Sequence, residues 1–358
     1  MPRETRLDRM LRWFKNNRFF SIILLIVVIV VGASQLMDAI SEMIDAGRRV
    51  TGPSAAGASS EDSGPSATLL KRIGSSGTGL GYFRDARFLM LDSDRQVIVG
   101  EFGDRSRIQR FKPDGTALGQ WSLADAGDKS PTTMEASSDG RLVVGNGSKL
   151  SEYELNSGRL LKRTELGEME GFDIIATGSS ATGGVLVQYQ HEREDDKGDT
   201  HWDMFICDYA GALRNCALLT IPKDYYNYLD DWKPRLTLDG DNNLYLLNDT
   251  NSFVYKFTRN GEFLTRFGGD DRTSGESRRP GVFHIPESLT VDGKGLVYVK
   301  DAFGLQVFDS SGRFLQSIAV PGLEGPEAYG SIDDMSFDRN HNLWAVARDR
   351  VCQYRFKL

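Results

Sequence analysis

The feature that most constrains the fold of this chain is a strand-turn-strand phrase that recurs about every fifty residues. Its clearest copies are VIVGEFGDRSRIQRFKPDGTALGQW at 97–121, LYLLNDTNSFVYKFTRNGEFLTRFG at 244–268 and VYVKDAFGLQVFDSSGRFLQSI at 298–318. Each copy holds an apolar run, a polar loop, a second run, a turn that ends in glycine and a third run. Because strand-like runs bounded by turn residues repeat at this period, the sequence predicts an array of small β-sheets.

One glycine, in the later turn of each unit, marks each repeat. It lies at Gly115, Gly158, Gly211, Gly261 and Gly312. A sixth unit ends in VCQYRFKL and supplies three strands without a fourth, whereas residues 68–74, TLLKRIG, resemble the fourth strands of other units. We therefore predict an all-β fold of six four-stranded units, in which 68–74 complete the last unit and close the ring without an open edge between the chain ends.

Residues 281–318, GVFHIPESLTVDGKGLVYVKDAFGLQVFDSSGRFLQSI, resemble an NHL repeat. The positions that fit the pattern are Gly281, Phe283, Pro286, Asp292, Gly295, Asp301, Val307, Phe308, Gly312 and Phe314. The resemblance extends in register over about 68–358, although units two and three are degenerate. It implies a six-bladed β-propeller. It does not imply an activity, because propellers of this kind include protein-binding scaffolds, sensors, RNA binders and a few lyases and lactonases.

The N-terminal region predicts a membrane anchor. Residues 19–37, FFSIILLIVVIVVGASQLM, carry no charge and are long enough for a hydrocarbon core of about 30 Å. A basic tail at 1–18 precedes them and acidic residues follow, so we expect a cytoplasmic N-terminus, a single-pass helix in the inner membrane and an extracytoplasmic propeller. The predicted divisions are the tail at 1–18, a transmembrane helix with an amphipathic continuation at 19–46, a flexible linker at 47–67 and the propeller at 68–358. A cleaved signal peptide is the alternative.

The charge of the chain argues against nucleic acid as a partner. The net charge is −7 although residues 1–18 are basic, so the propeller itself is acidic. Nonspecific nucleic-acid binding needs positive charge facing the phosphates.

The connections between predicted strands differ in length on the two faces of the ring. Long connections all fall on one face, called here the long-loop face: 74–86, 101–107, 122–132, 190–202, 220–234, 268–286 and 319–331. Long loops on a rigid scaffold are where binding residues concentrate, although such loops also simply bridge blades. The sequence therefore predicts a function on the long-loop face.

Two of these loops carry the candidate partner-binding residues. The aromatic members, in the loop 221–234, are Tyr225, Tyr226, Tyr228 and Trp232; the others, in the loop 268–286, are Arg278, Arg279 and His284. Amphipathic aromatic rings and guanidinium groups are typical of protein, peptide and glycan sites. The alternatives are rings that pack on a neighbouring blade and a solvated basic loop.

No catalytic or metal-ligand signature is apparent in the sequence. Potential ligands in the loop 190–203 have irregular spacing, and the four histidines are scattered over three units. We therefore predict no metal, no cofactor and no identified catalytic residue. The main hypothesis is a membrane-tethered propeller that binds a protein, peptide or glycan. The alternative is a metal-dependent lactonase- or lyase-type enzyme with its site in the central channel, which requires acidic, amide or imidazole side chains that converge at one channel mouth. A structural role in an envelope complex is a third possibility.

Cys207 and Cys216 flank a predicted hairpin turn on adjacent strands. The register of the other units places them diagonally rather than opposite each other, which favours two free cysteines over a disulfide. An oxidising compartment would favour the bridge.

Overall fold

The computed structural model describes residues 66–166, 172–179, 185–194, 200–222, 235–249, 251–269, 279–302, 304–321 and 332–357, with backbone alone at 172–179, 189–194 and 200–202. The predicted tail, transmembrane helix and nearly all of the linker lie outside these ranges. Within them, no helix is long and apolar enough to cross a membrane.

The described part of the chain forms six antiparallel sheets of four strands each. In chain order the strands are β1 (Ser66–Ile73), β2 (Ala86–Leu91), β3 (Val97–Glu101), β4 (Arg107–Phe111), β5 (Ala117–Ser122), β6 (Thr133–Ala136), β7 (Arg141–Asn146), β8 (Lys149–Glu154), β9 (Leu160–Glu165), β10 (Phe172–Ser179), β11 (Val185–Glu194), β12 (Thr200–Tyr209), β13 (Leu213–Leu218), β14 (Arg235–Leu238), β15 (Leu244–Asn248), β16 (Phe253–Phe257), β17 (Phe263–Gly268), β18 (Ser288–Val291), β19 (Val297–Asp301), β20 (Gly304–Phe308), β21 (Phe314–Ile318), β22 (Asp334–Phe337), β23 (Asn342–Ala347) and β24 (Arg350–Lys357).

The sheets are the blades of a propeller. Blades 1 to 5 each use four consecutive strands, beginning with β2, β6, β10, β14 and β18 as the innermost. These inner strands and β22 contact one another in sequence around the axis, and β22 contacts β2. Apolar side chains of adjoining blades form the core between them, as Phe267, Phe283 and Phe308 do between blades 4 and 5. The predicted all-β six-bladed propeller is confirmed.

Closure of the ring follows the prediction from the unpaired N-terminal strand. Blade 6 has the order β1-β24-β23-β22, so the first strand of the described chain is the outermost strand of the last blade. Its register runs from Ser66 opposite Lys357 to Ile73 opposite Val351. Because β1 covers the edge of β24, the two ends of the propeller are joined by a backbone ladder.

Each outer strand carries a β-bulge, which the sequence analysis did not anticipate. In five blades the extra residue is an exposed leucine: Leu70, Leu118, Leu161, Leu264 and Leu315. A bulge increases the local twist and interrupts the free edge of a strand, which hinders pairing with another chain.

Blade 3 differs at this position and corrects the prediction for the cysteines. Its outer strand is also bulged, between the pairs Ile206–Ala217 and Asp208–Arg214. The bulge moves Cys216 beside Cys207, with the two Cα atoms 4.1 Å apart, and the two residues form a disulfide. The prediction of two free cysteines was therefore wrong because it assumed an unbulged register.

Candidate active site at the mouth of the central channel

A polar cavity of about 230 Å³ lies on the propeller axis. It is lined by the inner strands β2, β6, β14, β18 and β22. Its polar lining residues are Thr132, Thr133, Glu135, Arg235, Thr237, Thr290, Asp334 and Ser336. The inner strands begin on the long-loop face, so the first residue of each lies near the channel mouth on that face.

Asp334 is the first residue of β22 and lies at this mouth. Its Oδ2 accepts the backbone N–H of Leu89 in blade 1 at 2.9 Å, and its Oδ1 accepts that of Met335 at 2.9 Å. Burial raises the pKa of Asp334 to about 6, against the opposing effects of Arg235 and the two N–H groups. The carboxyl is therefore held firmly in place, and it titrates close to neutral pH.

Asp333 precedes Asp334 and is also half-buried. Its Oδ2 is inaccessible to solvent and has no hydrogen-bond partner among the described residues. Burial raises the pKa of Asp333 to about 6, although Arg235, Arg87 and Arg348 act in the opposite direction. A carboxylate oxygen without a partner among the described residues costs free energy in such a place, so its presence favours a role in binding or chemistry.

Arg235, the first residue of β14, is the cation that acts on both carboxyl groups. It is half-buried, and no described carboxylate lies within ion-pair distance of it. The nearby Arg87 differs, because its guanidinium binds both oxygens of Asp85, at 3.0 and 2.8 Å. Arg235 is therefore available to a ligand anion in a way that Arg87 is not.

This arrangement combines two carboxyl groups that titrate near neutral pH with an available guanidinium. A carboxylate of pKa near 6 is an effective proton acceptor at neutral pH, and its protonated form is an effective donor. The guanidinium stabilises negative charge that develops on a substrate oxygen. Asp334 and Arg235 line the cavity, and Asp333 lies next to Asp334 outside its lining. The channel mouth therefore combines groups that are suited to proton transfer.

The described residues at the mouth do not fit a divalent metal ion. No group of three or more histidine, cysteine, aspartate or glutamate side chains within the described ranges is arranged to hold one. Both oxygens of Asp334 accept backbone N–H groups, and Glu287 pairs with the buried Lys300, with 3.4 Å between Oε2 and Nζ. The adjacent positive charge of Arg235 also opposes a cation.

The candidate residues named from the sequence do not gather into one site. Five of them lie outside the described residues: Tyr225, Tyr226, Tyr228, Trp232 and Arg278. Arg279 is exposed, and His284 donates its backbone N–H to Asp301 at 3.3 Å. Neither Arg279 nor His284 lines the channel cavity.

The long loops that bear such residues are partly tied to the blades by strand glutamines. In blade 5, Gln306 accepts the N–H of Gly281 at 3.0 Å and donates to the carbonyl of Val282 at 2.7 Å. In blade 1, Gln109 makes the same pair of bonds to Gly81 and Tyr82, at 2.8 and 2.7 Å. These ties hold the described loop segments on the rim of the face.

Arg235, Asp333 and Asp334 were not among the residues predicted from the sequence, because the prediction placed the function on the long loops. The signal that could have identified them is a charged residue at the start of an innermost strand. The position of Ser288 in blade 5 is taken by Phe88 in blade 1, Arg235 in blade 4 and Asp334 in blade 6. A charged residue at the start of an innermost strand faces neighbouring blades rather than solvent, so its charge calls for an explanation.

Solved structures similar to this chain confirm the propeller fold. They include a gluconolactonase from Xanthomonas campestris, with 15% identity over 81% of this chain and 99% of that chain and a TM-score of 0.51. A virginiamycin B lyase from Staphylococcus aureus has 12% identity over 80% and 99%, with a TM-score of 0.53. A luciferin-regenerating enzyme has 10% identity over 81% and 95%, with a TM-score of 0.54. No family model and no curated relative matches the chain, so the NHL resemblance stays a prediction.

These comparisons correct the main functional hypothesis. At such low identities the likeness establishes the fold alone. All three proteins are enzymes by name, and none of them is named as a partner-binding propeller. The prediction of a partner-binding module was wrong because long loops are common to binding and catalytic propellers and do not distinguish them.

Proposed function

We propose that this protein is a lactonase- or lyase-type propeller enzyme that opens a cyclic ester at the mouth of its central channel. Asp333 and Arg235 are the proposed catalytic residues, and Asp334 is a positioning residue. The observation that carries the proposal is the pair of carboxyl groups, each with a pKa raised to about 6, beside an arginine that has no carboxylate within ion-pair distance among the described residues.

In a hydrolytic reaction, Asp333 acts as the general base. Its carboxylate takes a proton from a water molecule while the water oxygen forms a bond to the acyl carbon. Arg235 stabilises the resulting oxyanion. The ring C–O bond then breaks, and the departing alkoxide takes the proton from Asp333, so that lactone and water yield a hydroxy acid. Asp334 is fixed by two backbone N–H groups and keeps the strand ends of blades 1 and 6 together.

In an eliminating reaction, the same base removes a proton from carbon, and the ester oxygen departs as a carboxylate without addition of water. Both reactions open the ring, and both need a base that is ionised at neutral pH. Incorporation of ¹⁸O from labelled water into the product distinguishes them, because only hydrolysis adds solvent oxygen to the new acid.

The test is turnover of a panel of sugar lactones, aliphatic lactones and a cyclic depsipeptide by the full chain, with and without a chelator. We expect turnover of at least one class, at a rate that rises as the pH increases through about 6 because Asp333 must lose its proton. Asp333→Asn should lower kcat by about 10²- to 10⁴-fold.

Asp94→Asn, an exposed change on the opposite face, is the control. A panel without turnover, or full activity in Asp333→Asn, would refute the proposal, and loss of turnover on chelation would show that a metal is needed.

We further propose that the enzyme works outside the cytoplasm, anchored through residues 19–37 and the linker at 47–67. The disulfide between Cys207 and Cys216 supports this location, because such bonds persist in oxidising compartments. Protease added to spheroplasts should release the propeller while leaving a small membrane fragment. Protection of the propeller in intact spheroplasts would place it in the cytoplasm instead.

A further inference from the structure

A second pocket lies at the opposite end of the propeller axis from the channel mouth. It has a volume of about 390 Å³ and is formed by the turns between first and second strands of blades 6, 1 and 2. Its apolar lining includes Leu91, Ala136, Phe337 and Trp344, and its polar lining includes Asp92 and Asp338. The volume is within the range of small-molecule sites, which combine an apolar lining with a few polar groups.

The turn aspartates of three blades share one arrangement. In each, an aromatic side chain from the second strand donates a hydrogen bond to Oδ2 of the aspartate. Tyr245 donates to Asp239 at 3.1 Å and Tyr298 donates to Asp292 at 3.1 Å. The indole Nε1 of Trp344 donates to Asp338 at 3.2 Å. The carboxylates of blades 4, 5 and 6 therefore receive an internal donor.

Blade 1 keeps the aspartate but lacks the donor. The strand register pairs Ile98 with Met90, as it pairs Tyr298 with Thr290, so Ile98 occupies the place of the tyrosine. Asp92 accepts the backbone N–H groups of Gln96, at 2.7 Å, and of Asp94 within its own turn, and no described side chain donates a hydrogen bond to it. Burial raises the pKa of Asp92, whereas the pKa values of Asp239 and Asp338 are lowered.

The surroundings of Asp92 decide which ligand suits it. Arg110 acts on it electrostatically; its two terminal nitrogens are bonded to Asn156, and its Nε is buried without a partner among the described residues. Arg95 and Arg339 line the pocket and are exposed. A carboxylate with spare acceptor capacity beside an apolar wall calls for a donor group on an apolar body, and a positively charged donor gains most from it.

We propose that this pocket binds a small amine, with its ammonium group donating to Asp92 and its apolar body against Leu91 and Phe337. The ligand supplies to blade 1 the donor that Tyr245 and Tyr298 supply to blades 4 and 5. The pocket adjoins the channel cavity, with which it shares Leu91, Ser336 and Phe337, but Asp92 lies at the far end of the axis from Arg235 and the proposed binding does not depend on the proposed reaction.

The test is isothermal titration of the full chain with phenethylamine, alongside phenethyl alcohol and phenylacetate. We expect the amine to bind, the alcohol to bind more weakly and the acid not to bind. Asp92→Asn keeps the turn acceptor for Gln96 and should weaken amine binding about tenfold or more. Ile98→Tyr should weaken it similarly, because the new hydroxyl occupies Asp92.

The controls separate this site from the channel mouth. Asp309→Asn removes a carboxylate from an exposed turn of blade 5, outside the pocket lining, and should leave amine binding unchanged. Turnover at the channel should be the same in Asp92→Asn as in the unaltered chain. Absence of amine binding, equal binding of phenylacetate, or unchanged amine affinity in both Asp92→Asn and Ile98→Tyr would overturn the proposal. Thermal unfolding checks that each variant is folded.

Discussion

Asp338 on the short-turn face and Asp333 beside the channel mouth are two partly buried carboxyl groups whose pKa values are shifted in opposite directions. On the face of the short turns, Asp338 accepts backbone N–H groups of Asn340 and Asn342 at 2.8 and 2.9 Å and side-chain donors of Asn342, Trp344 and Gln353 at 3.1–3.2 Å. These bonds hold its pKa below the usual range despite burial. Asp333, which precedes Asp334 in the chain, has an oxygen without a hydrogen-bond partner among the described residues and a pKa raised to about 6.

The difference separates carboxylates that stabilise the fold from carboxylates that cost stability. A native pKa below the unfolded value adds stability at neutral pH, whereas a native pKa above it subtracts stability there. Asp239 and Asp338 belong to the first group, while Asp333 and Asp334 belong to the second. Groups with a raised pKa that lower stability and lie beside a cavity are candidates for function.

The largest effect expected from this comparison is on catalysis. Arg235→Gln removes the cation at the channel mouth and should lower kcat by about 10²- to 10³-fold, since it removes stabilisation of the oxyanion. Arg235→Lys should restore part of the activity. Arg339→Gln, on the opposite face, is the matched control. If kinetics with the best lactone of the panel show no change in Arg235→Gln, the assignment of this residue is wrong.

The next largest effect is on folding at the short-turn face. Asp338→Ala leaves the donors of Trp344 and Gln353 without their acceptor and should lower the free energy of unfolding by about 2–4 kcal/mol. Denaturant titration measures it. Asp309→Ala, in an exposed turn where Asp309 bonds Ser311 and Arg313, should cost about 1 kcal/mol. Equal losses in both variants would remove the distinction between buried and exposed turn aspartates.

The third effect is a gain in stability with a definite pH dependence. Asp333→Asn removes a group whose native pKa, about 6, lies above its unfolded value. The variant should match the unaltered chain near pH 4. Its advantage should then grow as the pH rises through 6 and stay constant at about 1–3 kcal/mol above pH 7. For Asp338, whose native pKa is lowered, the stabilisation is present at neutral pH and is lost as the pH falls below 4. Unfolding free energies at several pH values check both signs.

The smallest expected effect is the loss of stability on removing a single tyrosine hydroxyl donor. Tyr298→Phe removes the hydroxyl that Asp292 accepts and should cost about 0.5–1.5 kcal/mol, and Tyr245→Phe should cost a similar amount through Asp239. A loss in Tyr298→Phe far above this range would mean that the ring packing around Asp292 depends on the hydrogen bond.

The repeat predicted the architecture because apolar periodicity and turn residues are properties of short segments of the sequence. Alternating apolar runs, turn glycines and the resemblance of 68–74 to other fourth strands predicted six blades and their closure, and the pairing of β1 with β24 confirms both. The bulges escaped the prediction, since one extra residue in a strand leaves the apolar pattern almost unchanged while it moves Cys216 beside Cys207.

The sequence by itself determined the number of blades, the order of their strands and the face on which long loops lie, because each follows from hydrophobic period and turn chemistry. Only the tertiary structure decided which side chains meet at the axis. Asp334 accepts the N–H of Leu89 across 245 positions of sequence, and Arg235 reaches the same mouth from blade 4. Burial and mutual charge set the pKa values of these carboxyl groups, and both exist only once the ring has closed.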